Sequence, residues 1–413
     1  MHPRMLTSRM IITALVAIAF VIAPARADVV TDWNQVAIQV SPPSAILQSR
    51  LLALVHAAMF DAITAIEPSG VPYAVTMRAP AGASRDAAAA GAAHGVLSRL
   101  VPAAREALDS ALKQSLDGIP AGRQRTDGLN VGSEVAERIV VLRRQDGADA
   151  KVSFAAEVGL GKWQPTPPQN APAFLPHWGA VKPFVLSTAR QFPVAGPPAV
   201  GSPAFARDFE EVKAVGARLS NTRTADQTAA AIFWTVNTPV PWNAAARAAA
   251  AARGNSVGEN ARLFAALNFA CADSQIAGFE IKYRVQHWRP VTAIRNAVIA
   301  NLPALAADPK WEPLLVTPTH PDYPSTHALC SGASEAVLQG FFSDDKVAVS
   351  VTHPLPFGVT RSWTSFSQMA QEVDDARVWG GIHFRTADAH GHDLGRRIGE
   401  YVLTHFPARA ATN

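Results

Sequence analysis

Seven residues in the last third of the chain have the types and spacing to hold an oxyanion and move a proton beside it: Lys282, Arg289, Ser325, Thr326, His327, Arg377 and His383. Residues 320–327 read HPDYPSTH, and Pro321 and Pro324 keep the backbone extended up to that point. Ser325 then stands at an N-cap position, and the run over 326–342 reads as an amphipathic helix. A helix N-terminus presents unpaired N–H groups and the positive end of the macrodipole, which suits an oxyanion. His327, in the first turn, can give or take a proton near neutral pH. Alone, an ordinary serine cap with an incidental histidine explains the stretch equally well. The flanks add the cations. Residues 282–290, KYRVQHWRP, place Lys282 two helical turns before Arg289 and Pro290, and residues 377–383, RVWGGIH, carry Arg377 and His383. Three positive charges with many N–H donors match a tetrahedral or trigonal-bipyramidal anion, and a guanidinium grips two oxygens at once. Gly380 and Gly381 would let the backbone beside His383 approach such an anion closely.

In this order the three fragments resemble the signature of the vanadium-dependent haloperoxidase and type 2 phosphatidic acid phosphatase superfamily: K-x6-R-P, P-S-G-H and S-R-x5-H-x3-D. Lys282, Arg289 and Pro290, then Pro324, Ser325 and His327, then Arg377 and His383 occupy matching positions. Thr326 replaces the family glycine, Ala376 the serine before Arg377, and Ala387 the terminal acid, with Asp388 one residue further on. One residue turns a helix by about 100°, so whether Asp388 orients His383 stays open.

The resemblance implies a vanadate cofactor, with phosphate as a competing oxyanion, held by Lys282, Arg289, Ser325, Thr326, Arg377 and His383. His383 would be the axial ligand of the metal or a phosphoryl-accepting nucleophile. His327 would be the acid–base partner, with Lys282 polarising bound peroxide. The expected reaction is oxidation of a halide by hydrogen peroxide to hypohalous acid. Bromide is favoured because His320 lies where the resemblance places a histidine in bromoperoxidases. The alternatives are an exported acid phosphatase working through a phosphohistidine on a small phosphate ester, and a non-catalytic oxyanion-binding protein.

The elements needed to position these residues are helical almost throughout, and the expected fold is mainly α, with bundled helices. Apolar residues recur at helical spacing over 44–66, 85–116, 122–145, 204–218, 224–236, 242–253, 258–284, 363–379 and 384–406, and the best strand is 347–352. Residues 155–203 break the rhythm with a Pro-rich stretch whose Trp163, Phe174, Trp178 and Phe184 argue for an ordered cover over the pocket. The expected organisation is a signal over 1–27, a helical region over 28–154, the loop over 155–203 and a catalytic helical domain over 204–413. His56 and Asp61, in the first helix, read as core polar groups, and Arg284, Arg295 and Arg385 as ordinary charges beside the motifs.

Arg4 and Arg9, the apolar run 10–22 and the small residues Ala25 and Ala27 compose a secretory signal cleaved after Ala27, so the protein is expected to be exported, periplasmic or secreted. Without residues 1–27 the chain has 34 basic against 33 acidic residues. No basic tail or cluster suggests nucleic acid, and no later stretch reads as a membrane span. Oligomerisation is left open. Cys271 and Cys330 are the only cysteines; export would permit a disulfide, but two buried thiols are the expectation.

Overall fold

The computed structural model describes residues 28–67, 71–296, 305–353 and 358–406. The expected signal, 1–27, lies outside them. Thirteen α-helices and one β-hairpin make up the regular structure of the described residues. The longest helix, α9 (Val257–Val285), starts at a capping box of Ser256 and Glu259 and ends at Gln286 in the left-handed region. It is buried along most of its length and packs against α2 (Ala45–Ile66) and α11 (Thr326–Phe342). Helix α2 is buried over most of its circumference, as a helix enclosed by others is, with His56 and Asp61 among its few buried polar residues. Among the described residues it alone has the length and composition to cross a membrane, yet 83% of its most apolar window is buried inside the protein.

One continuous apolar core joins α1 (Val29–Val40), α2, α3 (Arg85–Leu100), α4 (Arg105–Asp117), α5 (Arg123–Leu142), α7 (Ala225–Phe233), α8 (Pro239–Arg253), α9, α11, α12 (Phe366–Trp379) and α13 (Arg385–His405). The remaining helices are α6 (Pro203–Val215) and α10 (Pro290–Arg295). Phe205, Trp288, Trp311 and Phe384 build a smaller core under α6 and α10. Helices α11 and α13 touch backbone to backbone. A Cβ on Gly395 would lie 2.1 Å from the Leu329 carbonyl, and one on Gly332 would lie 2.3 Å from that of His392.

Two expected helices are corrected. The segment 85–116 is split into α3 and α4 at Pro102, where a missing N–H and a fixed φ start a short 3-10 turn. The segment 363–379 turns helical only at Phe366. Its head belongs to β2 (Thr360–Ser365), which pairs antiparallel with β1 (Lys346–Thr352) and buries Val349 opposite Trp363. The expected thiols are also corrected. Cys271 and Cys330 form a disulfide that ties α9 to α11, because helix packing brings their Cα atoms to 4.7 Å.

Residues 154–202 carry no regular structure beyond a 3-10 turn at Trp178–Ala180, and side chains of the helical core hold them down. The Asp273 carboxylate accepts the N–H groups of Phe184, Val185 and Leu186 at 2.6, 2.8 and 2.9 Å. Trp163 N–H donates to the Gln286 carbonyl at 2.7 Å, and Phe174 N–H to that of Thr319 at 2.9 Å. The segment is an ordered cover, and Phe174 reaches the cavity described next.

Candidate active site

Three chain segments meet at the N-terminus of α11. Lys282 lies in the last turn of α9, and Arg289 is the residue before α10. Arg377 lies in the last turn of α12, and His383 follows in the turn that leads into α13. The stretch 320–325 threads between them and delivers Ser325 to the N-cap of α11.

Arg289 is fully buried and organises this junction. Its Nε donates to the His320 carbonyl at 2.8 Å and its Nη1 to the Ile382 carbonyl at 2.6 Å. Nη1 also stands 3.1 Å from His383 Nε2, and Nη2 stands 3.1 Å from His320 Nδ1. Burial lowers the Arg289 pKa to about 10, which leaves it cationic at neutral pH. Lys282, equally buried, donates from Nζ to the carbonyls of Pro321 and Asp322 at 2.7 and 2.8 Å. Burial first, and Arg289 second, push its ammonium well below the usual lysine range, against the pull of Asp322 and Asp388.

His383 Nδ1 lies 2.8 Å from Asp322 Oδ1. A carboxylate only accepts, so Nδ1 carries the proton and Nε2 presents its lone pair. Burial, followed by the field of Arg289, pushes the His383 imidazolium well down, so the ring is neutral. Burial alone would raise the Asp322 carboxyl; His383, His287 and Arg289 together hold it well below the usual carboxylate range. The open question about Asp388 is thereby answered. Its buried carboxyl, pushed well up by desolvation and by Asp374, faces the Ser325 hydroxyl, and the acid that meets His383 comes from the 320–327 stretch.

The cavity beside this junction measures about 450 Å³, and His320, Thr326, His327, Arg377 and His383 line its inner part. The Thr326 and His327 N–H groups belong to the first helical turn and have no intrahelical acceptor, whereas Ala328 N–H is taken by Ser325 Oγ at 3.5 Å. Arg377 spends Nη1 on the Trp234 carbonyl at 2.8 Å, while its buried Nε has no partner among the described residues. The half-buried His327 likewise leaves Nε2 without a partner. Burial and then Arg377 lower its pKa well below the ordinary value, opposed by a hydrogen bond to the Val236 backbone.

All seven residues singled out in the sequence therefore lie at one junction, in two tiers. Thr326, His327, Arg377 and His383 face the cavity; Lys282, Arg289 and Ser325 stand behind its wall. Gly380 and Gly381 serve packing instead of anion approach. A Cβ on Gly381, at φ 74°, would lie 2.3 Å from the Gly216 carbonyl, and one on Gly380 would meet the Leu315 side chain at 2.7 Å. His56 accepts or donates to Asn34 at 2.9 Å, and Asp61 receives three backbone N–H groups from Tyr73, Ala74 and Val75; both are core groups. Arg284 pairs with Glu280, Arg385 with Glu211 and Asp375, and Arg295 with the Trp311 carbonyl. Asp322 is the functional residue the motifs do not mark. It is the only acid inside 320–327, and the need of three clustered cations for a counter-charge is the signal that points to it.

No cluster of three or more His, Cys, Asp or Glu side chains that could hold a metal ion is found among the described residues. The donors are instead those an oxyanion needs: guanidinium, helix N-terminal N–H and one imidazole lone pair.

Residues 262–410 match the family described as the VCPO second helical-bundle domain. The chain is similar in structure to a bacterial vanadium-dependent iodoperoxidase, with TM-score 0.78 and 27% identity over 91% of this chain and 95% of the other. Two structures of a bacterial vanadium-dependent chloroperoxidase share the fold. The apo form has TM-score 0.72 and 19% identity over 88% of this chain and 94% of the other. The holo form has TM-score 0.68 and 18% identity over 92% and 95%. No curated protein matches the chain in sequence. With its three motifs gathered at one buried junction of helices, the chain has the helical fold of these bacterial vanadium-dependent haloperoxidases, and its residues 262–410 match the family of the VCPO second helical-bundle domain.

Proposed function

We propose that the protein is an exported, vanadate-dependent haloperoxidase that uses hydrogen peroxide to oxidise iodide and bromide. The observation that carries this reading is the union, on one cavity, of the α11 N-terminus, the unpaired Arg377 Nε and a neutral His383 whose Nδ1 is fixed by Asp322. The residues fit vanadate: Arg377, the Thr326 and His327 N–H groups and, from behind, Lys282 and Arg289 would neutralise its oxygens, and His383 Nε2 would be its single protein ligand to the metal. Bound vanadate supplies a Lewis-acidic centre at which peroxide is activated toward a halide ion.

The chain supplies position and charge. Asp322 holds the imidazole in the tautomer that exposes Nε2, and Arg289 must yield its contact with that nitrogen to the ligand. Lys282 gives two N–H groups to backbone carbonyls, and an anion bound across the wall would favour its ammonium form. His327 lines the cavity, is neutral at rest and leaves Nε2 without a partner among the described residues; it takes and returns the proton. Iodide is the most readily oxidised halide of the series, and the iodoperoxidase likeness supports it. His320, polar and bonded to Arg289, supports extending the range to bromide. The Cys271–Cys330 disulfide supports export.

The test incubates purified protein with vanadate, peroxide and iodide or bromide, and in parallel with a phosphate ester and no vanadate. Halide oxidation that requires vanadate and is suppressed by inorganic phosphate is the expected result. Ester hydrolysis without halide oxidation at saturating vanadate would replace this reading with the phosphatase.

A further inference from the structure

Gln275 lies seven residues before Lys282 on α9, two turns along the same face, and it lines the cavity together with Thr326, His327, Arg377 and His383. Its Nε2 donates to the Thr326 carbonyl at 3.4 Å. That bond sets the orientation of the amide and leaves Oε1 buried, with no partner among the described residues. The side chain is 1% exposed, so bulk water does not satisfy this oxygen. A carboxamide oxygen accepts hydrogen bonds and donates none at any pH. Buried beside the donors of Arg377 and the α11 N-terminus, such an atom costs free energy unless the ligand brings an O–H to it.

We propose that Gln275 Oε1 accepts a hydrogen bond from a hydroxyl of the bound oxyanion and so determines which oxyanions the site takes. The inference rests on the oxyanion-binding part of the function proposed above. Vanadate and phosphate carry at least one proton near neutral pH; sulfate carries none. Sulfate would turn an acceptor toward the Gln275 oxygen, and the unpaired contact discriminates against it in the way that a missing hydroxyl is rejected by a site built to bind one. Thr317, whose buried Oγ1 also lacks a partner on this cavity, does not discriminate, because a hydroxyl rotates to donate or accept. Neutral His327 and His383 can accept as well, but each carries a further role, as proton carrier and as ligand. Gln275 has only this one to perform, and it makes a specificity-determining residue.

Titration calorimetry of the full-length protein with inorganic phosphate and with sulfate, at neutral pH and matched ionic strength, tests this. Wild type should bind phosphate about 100-fold or more tightly than sulfate. Gln275→Leu and Gln275→Met, with folding checked by thermal melts, should each lose at least about tenfold of that ratio, mainly by losing phosphate affinity while sulfate affinity holds or rises. A folded variant that keeps the full ratio overturns the proposal. If neither variant folds, the wild-type ratio decides: equal affinity for the two anions overturns it, and a strong phosphate preference supports it. Halide oxidation by a wild type that binds both anions equally would remove this inference alone, whereas a wild type that binds neither phosphate nor vanadate removes the haloperoxidase reading with it.

Discussion

At the scale of residues, the proposed function divides the work between the two histidines of the cavity. His383→Ala should abolish tight vanadate binding and any phosphoryl transfer together, since both depend on its Nε2. His327→Ala should still bind the oxyanion, because the cations and the α11 N-terminus remain, yet lose turnover by roughly 10²–10⁴, the usual worth of general acid–base catalysis. Vanadate titration and turnover on each variant check this; vanadate binding that survives the first change and not the second would reverse the roles. Asp322 acts through His383. Replacing it with alanine removes the partner of Nδ1 and leaves Arg289 without its nearest carboxylate, 3.8 Å away. Oxyanion affinity should fall by about 10–100-fold, the usual cost of removing a ligand's orienting partner. An Asp322→Ala protein with unchanged vanadate affinity would show that backbone packing alone orients the ring.

Among elements, the junction of α11, α12 and α13 decides whether the motifs stay in register. Its backbone contact at Gly332 and Gly395 leaves no room for side chains, and at its edge His392 is clamped between Glu335 and Asp374 at 2.8 Å each. Burial alone would lower the His392 pKa, but the hydrogen bonds and charges of those two acids outweigh it and raise it to about 10. Burial raises the Asp374 carboxyl to about 6. A histidine raised above its unfolded value contributes stability that is fully present below the unfolded pKa and is lost as pH rises through the folded one. The clamp is therefore complete between about pH 6, where Asp374 ionises, and about pH 10, where His392 loses its proton. His392→Ala should cost about 2–3 kcal/mol of unfolding free energy at neutral pH, the worth of hydrogen bonds to charged groups. The difference from wild type should shrink at the alkaline edge of that window. A deficit that denaturant unfolding finds equal at neutral and high pH would mean that packing, not charge, is what the histidine contributes.

For the whole molecule, the proposed export and the fold meet at two features. Asp28, the residue expected at the mature N-terminus, caps α1 by accepting the N–H groups of Val30 and Thr31 at 2.9 Å, so cleavage after Ala27 leaves that helix start intact. Mass spectrometry of exported protein should find Asp28 first; material that keeps residues 1–27 in a membrane fraction would contradict this. The Cys271–Cys330 bridge closes a sequence separation of 59 residues between the helices that carry Lys282 and His327. Chain entropy assigns such a loop up to about 4 kcal/mol. The double serine variant should unfold at lower denaturant by about 2–4 kcal/mol, and a stability unchanged by reduction would remove the bridge from the account.

What the sequence determined by itself is local and periodic. Helix spacing over α2, α5, α9, α11 and α13, the serine cap before Thr326 and the three motif fragments depend on neighbours within a few turns, so they were legible along the chain. The sequence also marked residues 155–203 as an ordered cover, because its aromatics needed burial. Tertiary structure alone decided what depends on approach between distant segments. It chose Asp322 over Asp388 as the partner of His383, since one residue of helical phase and the path of 320–325 set which carboxylate arrives. It set Lys282 and Arg289 behind the cavity wall and Arg377 on it, because the crossing of α9, α11 and α12 fixes side-chain depth. It also joined two cysteines that no spacing rule paired, and fixed the Gln275 amide by giving its nitrogen the Thr326 carbonyl. Distance, depth and the direction of a hydrogen bond are properties of packed helices, and a linear pattern does not contain them.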